Sequence, residues 1–162
     1  MPVLKNALVC FCLLAISVTA AAQTTKPVKA KETPVQKFKP PKLKTSIGKY
    51  ADSAVTVSAD EALQLIELPL TIKDDKNVAY TIASYQCMYK RNGVTEDEQT
   101  GKVSPMTSVV SQVFKTTPIS ELWRKTITEQ LRAGEEIYFF DVVVKDTQGR
   151  LMFAPNLKLQ IK

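Results

Sequence analysis

From Thr45 to Lys162 apolar side chains recur at every second position, a period that commits the chain to strands with one face on a core. The last segment is the clearest case: Leu157, Leu159 and Ile161 alternate with Lys158, Gln160 and Lys162. Ile66, Leu68, Leu70 and Ile72 alternate in the same way with Glu67, Pro69, Thr71 and Lys73, and Val55 with Val57 predicts a short first strand. Pro69 has no N–H to give to a ladder, so the 66–72 strand is expected at an edge or a bulge. Before it, Asp60, Glu61, Ala62 and Leu63 suggest one helical turn.

Val78 to Arg91 reads as one long strand. Ala79, Thr81, Ala83, Tyr85, Cys87 and Tyr89 fall on one face, with Tyr80, Ile82, Ser84, Gln86, Met88 and Lys90 on the other. Asn92-Gly93 is expected to open a polar loop that runs to Gly101, followed by a strand over Met106 to Phe114. Ile137 to Lys145 is apolar on both faces and predicts a central strand, and Asp146 to Gly149 predicts a tight turn.

One helix is expected among the strands, over 118–132. Ile119, Leu122, Trp123, Ile127 and Leu131 share one stripe at helical spacing, which assigns Trp123 to the core. Pro118 suits the first helical position with Thr117 as N-cap, and Gly134 suits the left-handed residue that ends the helix. The expected class is therefore mainly β, an antiparallel β-sandwich over 45–162 with one α-helix before the C-terminal hairpin.

Two different segments precede that domain. Residues 1–22 carry Lys5, an apolar run from Ala7 to Ala20 and the small residues Ala20-Ala21-Ala22, the pattern of a cleaved secretory signal with Gln23 as the first mature residue. Such a signal implies a periplasmic or secreted protein. Residues 23–44 interleave Pro27, Pro34, Pro40 and Pro41 with lysines and hold too little apolar material to fold, so a disordered linker is expected. It serves either as a spacer or, through Lys37, Lys39, Lys42 and Lys44, as an electrostatic tail on acidic headgroups, glycan or a partner.

The net charge of +6 belongs to that N-terminal part. From Thr45 onward fourteen Lys and Arg face fifteen Asp and Glu, which argues against a nucleic-acid-binding fold. The chain has no histidine, which removes Ser-His-Asp and Cys-His catalysis and every His-ligated metal site. Beyond Cys10 and Cys12 in the signal, only Cys87 remains, so an intramolecular disulfide is impossible. Cys87 is expected to be a small buried apolar residue.

Glu96, Asp97 and Glu98 sit in the expected polar loop without the alternating ligand spacing or the glycine of a calcium loop, and they become the candidate protein contact. No catalytic, cofactor-binding or metal-binding residue is assigned. Two alternatives stay open: Glu135, Glu136 and Asp141 as carboxylates of a carbohydrate-active enzyme, and Tyr85, Tyr89 and Tyr138 lining a shallow groove for a glycan or small ligand.

Gln130-Leu131-Arg132-Ala133-Gly134, Ile137-Tyr138-Phe139, Val142 to Lys145, Gln148-Gly149-Arg150, Ala154-Pro155 and Leu157 to Ile161 together resemble a known pattern. It is the closing segment of the periplasmic C-terminal domain of GldM-type proteins, the gliding-motility and type IX secretion subunits of Bacteroidetes. The resemblance covers about the last 45 residues; where the family has a Pro-Asp-Gly turn, this chain has Thr147-Gln148-Gly149. It implies an immunoglobulin-like sandwich, a non-catalytic contact role in a cell-envelope assembly, and no catalytic residues. The membrane helix and long helical domain of the full family members have no counterpart in this sequence, so a direct role in energy transduction is not implied.

Overall fold

Two long strands organise the molecule, and both change face partway along. The computed structural model describes residues 38–51 and 53–162, within the unit Phe38–Lys162. Residues 1–37, which hold the expected signal and most of the expected linker, lie outside the described residues. The elements are β1 (Leu43–Ile47), β2 (Ala54–Val57), α1 (Ala59–Ile66), β3 (Leu70–Asp74), β4 (Ala79–Glu96), β5 (Val103–Phe114), α2 (Glu121–Gln130), β6 (Glu136–Lys145), β7 (Leu151–Ala154) and β8 (Leu157–Ile161).

The class is mainly β: eight strands in the order β1-β3-β4-β6-β8-β2, with β5 added to β4 and β7 added to β6. Every pairing is antiparallel except β2 with β8. β6 is central, as its two apolar faces predict. It pairs with β4 on one side; on the other its first half pairs with β8 and its second half with β7. The sheet folds over one core, in keeping with a β-sandwich, and Thr45 on β1, itself buried, donates to the Pro155 carbonyl at 2.6 Å across the fold.

The face change comes from two bulges. Ladder register between β4 and β6 shifts between Ile82 and Ser84 and again between Ser84 and Gln86. Ile137 and Phe139 point inward on β6, but after the left-handed residue Asp141 (φ 49°) the inward residues are Val142 and Val144. On β4, Tyr80 and Ile82 pack against the core at one end, and Tyr85, Cys87 and Tyr89 at the other. The single alternation expected over 79–90 is therefore wrong before Ser84, because an extra residue per strand reverses the facing.

The strand expected over 66–72 is also corrected. Its first part is α1, whose buried residues Ala62, Leu65 and Ile66 have helical spacing, while Leu68 is exposed. Ser58 caps this helix, accepting from the Glu61 N–H at 3.2 Å, with Asp60 and Glu61 favourably placed in the first turn. Only Leu70–Asp74 is a strand, and it lies between β1 and β4, so Pro69 guards no sheet edge.

The second helix is shorter than expected. α2 starts after Ser120 and ends at Leu131, so Thr117 is not its N-cap, Pro118 is not its first residue and Gly134 does not end it. Thr117 instead accepts the Leu70 N–H at 2.7 Å, and left-handed Gly134 (φ 85°) turns the chain into β6. Of the expected stripe, Ile119 and Ile127 are buried, Trp123 and Leu131 pack half-buried on the core, and Leu122 faces solvent. The β1 strand begins at Leu43, so the last two residues assigned to the linker belong to the sheet.

Candidate docking edge

β4 outruns the rest of the sheet. Its pairing with β6 ends at Lys90↔Glu136, whereas its pairing with β5 continues without a register shift from Tyr85↔Phe114 to Glu96↔Val103. The expected loop from Asn92 is thus corrected: Asn92 to Glu96 form strand with Val103 to Thr107, a two-stranded ribbon reaching beyond the core. Gly93 lies opposite Met106 in ordinary extended conformation. The turn comes four residues later, where Gly101 adopts a left-handed φ of 63° and Asp97 Oδ1 accepts the N–H groups of Gln99 (3.0 Å) and Thr100 (2.9 Å).

The three candidate contact residues sit together at this tip, all exposed. Asp97 is committed to the turn; its carboxyl is held below the usual carboxylate range by the backbone and side chain of Thr100 and the backbone of Gln99. Among the described residues none of Glu96, Asp97 and Glu98 makes an ion pair.

Along β5 the apolar residues face water: Val103, Met106, Val109, Val110 and Val113 are all exposed, and only Phe114 is buried. Among the described residues β5 pairs with β4 alone, so its second side, twelve residues long, has no strand partner there. It carries no charged residue, and its only proline is Pro105.

The ribbon is anchored at its root by a buried group the sequence did not single out for this role. Glu135 is 2% exposed, and its carboxyl oxygens accept from the Tyr89 hydroxyl, the Asn92 N–H at 3.1 Å and the Arg132 N–H at 3.0 Å. Arg91 reaches Gln130 on α2 and Ser108 on β5. A cleft of about 350 Å³ lies here, between Met106 and Ser108 on one wall and Glu129 and Gln130 on the other. An aromatic series of Phe139, Tyr85, Phe114 and Trp123 runs from the core to α2, ending with Trp123 edge-on to Phe114 at 5.6 Å.

The other candidate residues are dispersed. Glu136 lies between Lys90 (3.8 Å) and Lys158 (3.9 Å), while Asp141 at the bulge accepts from Gln86 at 2.8 Å, so the three carboxyls have separate partners. Tyr85 and Tyr89 belong to the core and line no groove. Burial pushes the Tyr85 hydroxyl up to about 12, and Tyr89 is raised by burial and by its bond to Glu135. Tyr138 is half-buried, stacked on Phe140 and bonded to Asn156 at 2.7 Å. Cys87 is buried, its thiol pushed up to about 12 by desolvation.

Lys37 lies outside the described residues. Lys39 and Lys42 border a shallow concavity that also contains Asp74 and Asp75, and Lys44, on β1, pairs with Asp75 at 3.4 Å. No helix among the described residues is long and apolar enough to cross a membrane. Neither protein-family models nor curated proteins give a match to this chain.

Proposed function

We propose that this chain is an exported, non-catalytic domain that binds another protein of the cell envelope through the β4–β5 ribbon. The observation that carries this reading is β5: a long, uncharged strand without a bulge whose valines face water in series along one edge. The separate engagement of Glu135, Glu136 and Asp141 supports binding over turnover. The segment 1–22 supports export with a mature start at Gln23, and the lysine- and proline-rich stretch supports a spacer or an electrostatic tail. The GldM-type resemblance, which runs from the end of α2 through β8, supports an immunoglobulin-like kinship and a partner in a secretion or motility assembly.

A photo-crosslinking residue at Val110 in the full chain, expressed with its own signal, tests this reading. A discrete crosslinked product is expected from Val110 and none from the same probe at Lys145, at the far end of β6; mass spectrometry of the product should show Gln23 as the first residue. Absence of any product from Val110 would overturn the reading. So would hydrolysis of glycans or esters by the purified protein that is lost on Glu135→Gln or Asp141→Asn.

A further inference from the structure

We propose that β5 is completed by strand addition: a partner supplies one extended segment, antiparallel to β5, with small apolar residues at alternate positions and Lys or Arg at its C-terminal end. This rests on the protein-binding reading above and specifies how that binding is made.

The ladder geometry gives the first argument. β5 is paired to β4 at all twelve of its residues, from Val103 to Phe114, with no bulge. A strand alternates its backbone groups between its two sides, so such a regular strand presents the groups of about half its residues to an incoming chain. Edges are ordinarily blunted by shortness, charge, proline or a bulge. The other border strands follow that rule: β1 has five residues and includes Lys44, while β2 and β7 have four each. β5 lacks every one of these devices except Pro105 near its tip, which leaves Met106 to Phe114 open.

The side chains define the occupant. Val109 and Val113 are 55% and 56% exposed on one face of β5, and Met106 and Val110 are 48% and 39% exposed on the other. An added strand would lay its own side chains beside these, so short apolar residues at alternate positions complement one row, and small residues such as threonine between them fit beside the other. Antiparallel pairing is the more stable per residue, and charge then sets which end of the segment is basic. At the Val103 end, Glu96 opposite Val103 and Asp97 and Glu98 in the turn outnumber Lys102, and Lys115 follows the Phe114 end. A segment antiparallel to β5 ends beside the acidic tip, so its basic residues belong at its C-terminus.

A second copy of β5 fits less well. Twofold antiparallel pairing about the strand centre sets Val103 opposite Phe114, and the next pair outward sets Lys102 opposite Lys115. Like charges directly opposite destabilise a ladder.

The probe is a synthetic peptide of about ten residues, roughly one long strand, alternating valine and threonine and ending in two lysines. Its twins carry the lysines at the N-terminus or glutamates at the C-terminus. Binding to the full mature chain is followed by fluorescence anisotropy and by backbone amide exchange. The C-terminal-lysine peptide is expected to slow exchange at alternate residues of Met106 to Phe114. The glutamate twin is expected to bind about tenfold more weakly at low salt, with the gap closing at high salt. Glu96→Lys with Glu98→Lys should reverse that preference while leaving Asp97 to hold the turn. Val109→Pro and Val110→Pro add a backbone test: one should lower Tm by breaking the β4 ladder, and the other should abolish peptide binding with Tm retained.

Equal binding of all three peptides, or protection away from β5, would overturn the proposal. Protection of β5 amides without peptide in a dimer would assign the edge to a second copy and overturn it too. Failure of the peptides alongside a Val110 crosslink would overturn strand addition while leaving the protein-binding reading standing. Failure of both would remove the two together.

Discussion

β4 passes through two environments, and its alternating sequence is used in opposite ways in each. Between Tyr85 and Lys90 it is flanked by β5 and β6, and Tyr85, Cys87 and Tyr89 are at most 1% exposed. Beyond Arg91, β5 is the only strand paired to it among the described residues, and Val94 is 70% exposed. A two-stranded ribbon has no second layer to cover it and is marginal by itself, so its order comes from its root and its apolar groups stay uncovered. The body keeps its stability inside, and the ribbon keeps its apolar residues outside. Mutations in the two regions should therefore report on different properties.

The largest effect is expected in the body. Phe139, on the inward face of β6 and tilted against Tyr85 at 6.2 Å, is 1% exposed. Phe139→Ala should cost about 3–5 kcal/mol through lost burial and the cavity left behind. Urea unfolding measures it; a cost under about 1 kcal/mol would mean that this core is not packed as described.

Alkaline pH probes the same region without mutation. The Cys87 thiol is raised from 9.0 to about 12 by burial, and the Tyr85 hydroxyl from 10.0 to about 12. Both folded values lie above the unfolded ones, so the unfolded chain releases protons first. The contribution is complete below pH 9 and is lost as pH rises toward 12, at up to about 1.4 kcal/mol per pH unit for each group. Stability measured against pH should fall from pH 9 and fall more steeply from pH 10. Flat stability across that range would contradict the burial of both groups.

Between body and ribbon, the anchoring groups should give intermediate effects. Glu135→Ala leaves the Tyr89 hydroxyl and the Asn92 and Arg132 N–H groups without their acceptor, at a cost of about 2–3 kcal/mol. Amide exchange should quicken at Asn92 to Glu96 more than in β8; uniform quickening would show that Glu135 supports the whole fold and not the ribbon root. Trp123→Ala, expected from the sequence stripe alone to behave as a full core deletion, should cost less than Phe139→Ala because Trp123 is half-buried on Phe114.

What was legible from the sequence was the part that obeys one rule at a time. The turn at Asp146 to Gly149 is closed by Asp146 Oδ1, which accepts the Gln148 and Arg150 N–H groups, and β8 keeps its expected facing throughout. The bulges escaped because one added residue reverses facing without altering composition; the sign was there in β6, where Phe139 and Val142 are three apart. α1 was legible in part: a helical turn was expected over Asp60 to Leu63, and Ser58 followed by Glu61 is a capping pair, but the spurious alternation of Ile66, Leu68 and Leu70 hid where the helix ends. Asn92-Gly93 misled because turn residues can also sit in an extended ladder. The anchoring role of Glu135 depends on groups more than 40 positions apart in sequence, such as Tyr89 at 46, and no local pattern predicts it.

In the ribbon itself the effects on stability should nearly vanish. Val94→Thr and Val103→Thr replace residues that are 70% and 58% exposed, so stability should stay within about 0.5 kcal/mol of the parent. Crosslinking from Val110 should nevertheless weaken. A loss of stability comparable to that of Phe139→Ala would show the ribbon packed against something, and the distinction between the two regions would fall.

The smallest effect is the acid behaviour of the tip. The Thr100 backbone N–H, the Thr100 hydroxyl and the Gln99 backbone N–H hold the Asp97 carboxyl below its ordinary value of 3.8, with slight desolvation opposing them. A depressed carboxyl stabilises the turn above its unfolded value, and that contribution is lost as pH falls through the lower folded one. Because the group is fully exposed, the consequence should be local. The amide resonances of Gln99 and Thr100 should move together with a midpoint below 3.8, while those of β6 remain still. Asp97→Asn keeps an acceptor oxygen without the titration and should abolish the shift while preserving the turn. If the midpoint instead falls at or above 3.8, or if β6 moves in step with the tip, the ribbon end is not the independently held element that its separation from the core requires.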